Sequence, residues 1–203
     1  MTEKAKSKVD TVRLQNMSRA FIESASMFAA IDLELFTAVE NGSNTVEKFA
    51  VHAEISEVNA ERLMTMCATA GLISWADDHY INADDVQRFL VKGEKSYAGP
   101  WLTFTRPGWS KWGNLTEKLK NPDEATVIGS YETMTVDYAR TYHEATSSIG
   151  FGAGRRFNKQ VDLSRRTKMM DLGGGSGAYS IVAAQNNPNL SAVVFDLPPV
   201  VVV

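Results

Sequence analysis

The run Asp171-Leu172-Gly173-Gly174-Gly175-Ser176-Gly177-Ala178 gathers the most chemically suggestive residues in the sequence. Its glycines carry no Cβ, so the backbone can turn sharply and a ligand can lie directly against it. A helix opening near Ala178 would aim free N–H groups and its positive dipole end at that ligand. Asp196 follows at the tip of the next apolar run, where a carboxylate can accept hydrogen bonds from both hydroxyls of a ribose. Gly173-x-Gly175-x-x-Ala178 also satisfies the dinucleotide fingerprint, so a nicotinamide or flavin remains an alternative, as does a loop that binds nothing. Asp171 favours a different ligand. A carboxylate just ahead of the first glycine repels a pyrophosphate but suits the ammonium of an amino acid. S-adenosylmethionine has that ammonium, together with a ribose for Asp196. With Cys67 the only cysteine and three histidines in all, no metal site is expected.

Such a loop needs a strand before it, a helix after it and a second strand beyond. Lys168–Leu172 is a short apolar run, Tyr179 to Asn186 has helical spacing ended by Pro188, and Ala192–Phe195 reads as a buried strand. A strand–helix–strand unit implies parallel pairing. Upstream, Val12 to Val39 reads as one helix with two apolar faces, ended by Asn41-Gly42. Asn44 with Glu47 resembles a capping box for Val46–His52, and Ser56 is a natural cap for Val58–Ala70, stopped by Gly71. Leu72–Trp75 and His79–Ile81 read as two strands around Ala76-Asp77-Asp78, which completes the order of a winged helix. Val86 to Asp123 is less periodic, holding Trp101, Phe104, Trp109 and Trp112 between the breakers Pro100 and Pro107. Tyr131 to Phe151 is helical again, with a Gly/Arg-rich stretch from Gly150 to Arg156 after it.

The bulk properties narrow the partners. The chain has 203 residues and a formal net charge of -3, so a nucleic-acid face is not expected. Residues Met1 to Thr11 are polar, without the apolar stretch of a signal peptide, and no run is long enough to span a membrane. A cytoplasmic protein is the expectation. Cys67 sits on an apolar helix and reads as an inert buried thiol; Met27, Met64 and Met66 read as core. His52 and His79 read as surface or wing residues, and Arg155-Arg156 and Arg165-Arg166 as solvated pairs.

Met170-Asp-Leu-Gly-Gly-Gly-Ser-Gly-Ala178, Val194-Phe-Asp-Leu-Pro-Pro199 and the module from Leu14 to Asp85 together resemble the plant-type O-methyltransferase family, including its hydroxyindole O-methyltransferase-like bacterial members. The resemblance implies an α/β fold. A mainly helical winged-helix dimerisation domain (residues 1–95) would lead through a helical linker and acceptor-pocket region (96–165) to the start of a Rossmann-like class I methyltransferase sheet (166–203), of which only the first βαβ unit is present. It implies S-adenosyl-L-methionine as cofactor, held by Asp171, Gly173, Gly174, Gly175, Gly177, Asp196 and Leu197. Ser148 or its neighbour Ser147 would add a hydroxyl from the preceding helix. Tyr142 and His143 would line the pocket for a small-molecule acceptor, with Trp109 as an aromatic wall, and the N-terminal domain would form a homodimer.

The family's general base, a histidine held by acidic residues, would fall beyond Val203, which leaves the catalytic residue unassigned save for His143 as a candidate. As it stands, the chain is expected to bind the donor poorly and not to turn over. Methyl transfer to an oxygen nucleophile is the leading expectation. A second is S-methylation of a small methylthio hydroxy acid, as in dimethylsulfoniopropionate synthesis, since a thioether needs no base. Readings from other classes are a winged-helix DNA-binding regulator, disfavoured by the acidic start of its would-be recognition helix at Glu57 and Glu61, and an inactive dimer-forming remnant.

Overall fold

A computed structural model describes residues 9–121 and 131–203. The polar residues 1–8 and Asp123, which closes the less periodic stretch, lie outside the described residues. The chain divides into two compact units, the first reaching Lys92 and the second beginning at Gly93.

The first unit opens with α1 (Val12–Asp32) and α2 (Leu35–Glu40). The single helix expected from Val12 to Val39 is therefore broken. Glu34 takes a left-handed conformation (φ 56°), and the turn carries Leu35 and Phe36 into full burial. Helix α3 (Val46–Ala53) is capped by Thr45, whose hydroxyl accepts the Lys48 N–H, and not by Asn44. The Asn44 carbonyl instead accepts the Tyr80 N–H at 2.8 Å. Helix α4 (Glu57–Thr69) is capped by Ser56 as expected, and Gly71 (φ 73°) follows its C-cap, Ala70. Strands β1 (Ile73–Ala76) and β2 (His79–Asn82) pair antiparallel around a two-residue turn in which Asp77 and Asp78 both have positive φ. Helix α5 (Asp84–Leu90) closes the unit. Asn82 ties the pieces together, its amide donating to the Phe36 carbonyl and to Gln87 Oε1, both at 2.9 Å. Phe36, Phe49, Leu35, Met64, Ile73 and Cys67 form the buried centre. Met66, expected in the core, is 37% exposed.

The second unit begins with short helices α6 (Gly99–Thr103), α7 (Trp109–Gly113) and α8 (Leu115–Lys120). Helix α9 (Val136–Gln160) is one unbroken helix of 25 residues. It runs through the stretch from Gly150 to Arg156 that reads from sequence as its sequel. The glycines there are contact points, not breakers: a Cβ on Gly150 would lie 3.1 Å from Ala178 Cβ, and one on Gly154 would lie 3.0 Å from the Ala178 carbonyl oxygen. Two small residues a turn apart thus let α9 touch the first turn of α10 (Ala178–Asn186).

Strands β3 (Lys168–Leu172) and β4 (Ser191–Phe195) pair in parallel, with Asp171 beside Val194 and Leu172 beside Phe195. Helix α10 lies between them in sequence and packs on both strands. The opposite sheet face leaves Met170, Leu172, Val193 and Phe195 exposed. The short helix α11 (Pro198–Val201) ends the unit. Among the described residues, no helix is long and apolar enough to cross a membrane, and no cluster of His, Cys, Asp and Glu could hold a metal ion.

Candidate functional site

The glycine loop between β3 and α10 is built by alternation. Gly173, Gly175 and Gly177 all have positive φ (69°, 54° and 72°), a region that side chains bearing Cβ seldom enter. Gly174 is required for a different reason: a Cβ there would lie 2.8 Å from the Asp171 carboxyl carbon and 2.9 Å from Val194 Cγ1. Three loop amides are satisfied within the protein. The Gly173 N–H donates to the Phe195 carbonyl at 2.8 Å and Gly177 N–H to the Gly174 carbonyl at 2.9 Å. The Gly175 N–H donates to Asp196 Oδ2 at 2.8 Å.

Both expected carboxylates are therefore part of the loop's architecture. Asp196 accepts a second backbone bond, from Leu197 N–H to Oδ1 at 2.7 Å. Asp171 Oδ2 accepts the Ser180 hydroxyl at 2.9 Å, linking the end of β3 to the first turns of α10. Each oxygen retains a lone pair, so neither acid is used up.

A cavity of about 580 Å³ opens beside the loop, a size typical of small-ligand sites. Gly173, Gly175, Asp196 and Leu197 form one wall; Tyr138, Tyr142 and His143 of α9 face them, with Tyr131, Met134 and Thr135 at the entrance to that helix. A second hollow of about 400 Å³ lies on the other side of the loop, bordered by Asp171, Gly173, Gly174, Gly175, Tyr179 and the α9 residues Tyr142, Thr146, Ile149 and Gly150. His143 is only 8% exposed. Its Nε2 has no hydrogen-bond partner among the described residues and stands 4.0 Å from where a Gly175 Cβ would be.

The structure brings Gly173, Gly175, Asp196, Leu197, Tyr142 and His143 around one cavity, with Asp171 and Gly174 on the adjoining side of the loop. Gly177 caps α10, and a Cβ on it would press Val194 Cγ2 at 3.2 Å. Ser148 is half-buried on α9 and borders none of the hollows described here. Ser147 donates its hydroxyl to the His143 carbonyl within the helix. Thr146, one turn after Tyr142, borders the smaller hollow beside the loop, its hydroxyl donating to the Tyr142 carbonyl at 2.8 Å. Trp109 lies on α7, 39% exposed, and does not border the cavity. The aromatic residues of the cavity itself are Tyr131, Tyr138 and Tyr142. Behind Tyr142 the Phe104 ring meets it edge-on at 5.6 Å, and Trp101, which borders the smaller hollow, stacks on Phe104 at 6.3 Å. Helical spacing from Tyr142 points to Thr146, Ile149 and Gly150; nothing local to residues 101–104 singles out Trp101 or Phe104.

The chemistry of these donors and acceptors fits S-adenosylmethionine. A Cβ on Gly173 would meet nothing within 4 Å, so the loop leaves open space against its backbone, and the buried, unpartnered His143 Nε2 offers a polar handle on the opposite wall.

Known proteins are similar to this chain over most of its length. Residues 15–92 match the O-methyltransferase dimerisation domain, and residues 123–203 match the O-methyltransferase domain. The chain belongs to the O-methyltransferase family. Family relatives include 3-hydroxy-5-methyl-1-naphthoate 3-O-methyltransferase of Streptomyces sahachiroi, 27% identical over 92% of this chain and 55% of its own length. Acetylserotonin O-methyltransferase of Rattus norvegicus is 30% identical over 93% of this chain and 46% of its own. The chain thus spans about half the length of these curated relatives. Human N-acetylserotonin methyltransferase, solved in complex with S-adenosylmethionine, shares the fold with a TM-score of 0.76 at 22% identity, covering 98% of this chain and 62% of that one.

Proposed function

We propose that the intact protein transfers a methyl group from S-adenosylmethionine to a nucleophilic oxygen of a small aromatic molecule. The observation that carries this reading is the cavity in which Asp196 and the glycine loop face Tyr138, Tyr142 and His143. The committed amides of Gly173, Gly175 and Gly177 favour this donor over a dinucleotide, because a pyrophosphate site depends on free loop amides. Asp196 would hold the ribose, and the loop and Asp171 the amino-acid end. Bound there, the donor supplies a carbon already activated by its sulfonium, so the protein's task is alignment and exclusion of water. Tyr142 and the Phe104 ring behind it offer an apolar wall to an aromatic acceptor.

An oxygen acceptor must lose a proton during transfer. Among the described residues, the cavity is bordered by the carboxylate of Asp196 and the imidazole of His143, and Asp196 already holds two backbone N–H groups. His143 Nε2 is thus placed to hydrogen-bond the acceptor hydroxyl.

The helix pair and hairpin of the first unit have the order of a winged helix, and the unit serves here as a dimer scaffold. Leu14, Met17 and Phe21 lie on one stripe of α1 and are 55%, 65% and 59% exposed. Such a stripe calls for a second copy of the chain, giving a homodimer whose mass light scattering measures. The catalytic reading is tested by incubating the intact protein with S-adenosylmethionine and a panel of phenols, thiols and amines. Mass spectrometry should find the added methyl on a phenolic oxygen. Transfer confined to sulfur or nitrogen would overturn the choice of acceptor.

A further inference from the structure

The carboxylate at the end of β4 does more than wait for a ribose. Its two oxygens accept two backbone amides, from Gly175 in the loop at 2.8 Å and from Leu197 at 2.7 Å. Gly175 sits between the left-handed turns at Gly173 and Gly177. It has no side chain with which to fix itself, so an external acceptor must hold the loop's centre. We propose that Asp196 is a positioning residue for the glycine loop, holding Gly175 in its left-handed conformation before any ligand arrives, in addition to its contact with the donor ribose. This inference rests on the donor reading for its second half only; the first half concerns the free protein.

Several features support it. The bond spans 21 positions in sequence and joins β4 to the loop that follows β3, its paired neighbour. The adjacent Gly173 N–H to Phe195 carbonyl bond at 2.8 Å makes a parallel tie one residue earlier on the same strand. Together they extend the β3–β4 ladder into the loop, with a side-chain carboxylate taking the place of the next backbone carbonyl. A hydrogen bond to an ionised acceptor is worth more than a neutral one, so the strongest member of this extended ladder falls on the residue facing His143.

The two roles separate with two ligands. S-adenosylhomocysteine carries the ribose hydroxyls; its 2′,3′-dideoxy counterpart does not. If Asp196 acted on the ribose alone, replacing it would not alter affinity for the dideoxy ligand. Calorimetry on Asp196→Asn and Asp196→Ala should instead show a loss of roughly tenfold for the dideoxy ligand and roughly a hundredfold for S-adenosylhomocysteine. Unchanged dideoxy affinity in both variants overturns the positioning role while leaving the donor site intact. A second measurement needs no variant or ligand. In the free wild-type protein, the Gly175 amide should exchange with solvent deuterium much more slowly than an open loop amide. Fast exchange at Gly175 overturns the proposal. If the intact wild-type protein binds neither ligand, the donor reading fails, and the exchange rate alone decides the positioning role.

Discussion

Gly154 of α9 lies against the backbone of Ala178 so closely that a Cβ would sit 3.0 Å from the Ala178 carbonyl oxygen and 3.3 Å from Tyr179 Cα. The contact sets where the long helix crosses the start of α10, and so how far Tyr142 and His143 stand from the glycine loop. Gly154→Val is expected to destabilise the second unit by about 1–3 kcal/mol, since backbone atoms cannot yield as a flexible side chain can. Thermal unfolding measures this. Gly152, with nothing within 4 Å of its virtual Cβ, is the control, and Gly152→Ala should be neutral or slightly stabilising.

Ser180 holds the carboxylate of Asp171 beneath Gly174. Ser180 is buried, so Ser180→Ala removes a partner that water cannot readily replace. The expected cost is about 1.5–3 kcal/mol in denaturant unfolding, as for other hydrogen bonds to charged groups. Donor affinity should fall with it, whereas Ser180→Thr should retain most of both.

Glu34 lies at the break between α1 and α2, where Lys92 bonds its carboxylate. That hydrogen bond, and then the attraction of the Lys92 charge, hold the Glu34 carboxyl below its usual range. A group depressed on folding stabilises the protein above its unfolded pKa, and the contribution disappears as pH falls through the folded value. Glu34→Gln should therefore be less stable near pH 7 by about 0.5 kcal/mol, since the pair is exposed. The difference should close as pH falls below about 4.3.

The β1–β2 turn places two aspartates at positive φ, 49° for Asp77 and 61° for Asp78. Asn-Gly is the sequence that such a turn prefers. Asp77→Asn combined with Asp78→Gly should raise the stability of the first unit by roughly 0.5–1 kcal/mol, read as an increase in melting temperature.

Local chemistry made much of this structure readable in advance. Ser56, Gly71, the hairpin around Asp77-Asp78 and the strand–loop–helix from Asp171 to Asn186 all carry their signals within a few residues. Sequence and structure part where tertiary packing overrides a local cue. Glu34 breaks a helix whose periodicity runs on, because burying Leu35 and Phe36 requires the chain to turn. Thr45 takes the cap from Asn44, whose carbonyl is engaged by Tyr80 in the hairpin. Gly150 and Gly154 resemble helix breakers in one dimension and are close-contact residues in three. In the site, the glycines were legible because a sharp turn demands them, and Asp196 because it is an acid at the tip of the second strand; its bonds to Gly175 and Leu197 were not. Nor were Trp101 and Phe104, since their place behind Tyr142 depends on how α6 meets α9.

Donor binding depends most on the open backbone at Gly173, which has φ 69° and nothing within 4 Å of where a Cβ would be. Calorimetric titration of S-adenosylhomocysteine into the intact protein and its Gly173→Val variant tests it directly. A side chain there would be strained and would intrude on the space left for the ligand. Saturable binding to the wild type, weakened at least roughly a hundredfold in the variant, is the expected result. Equal affinity in the two proteins would contradict it.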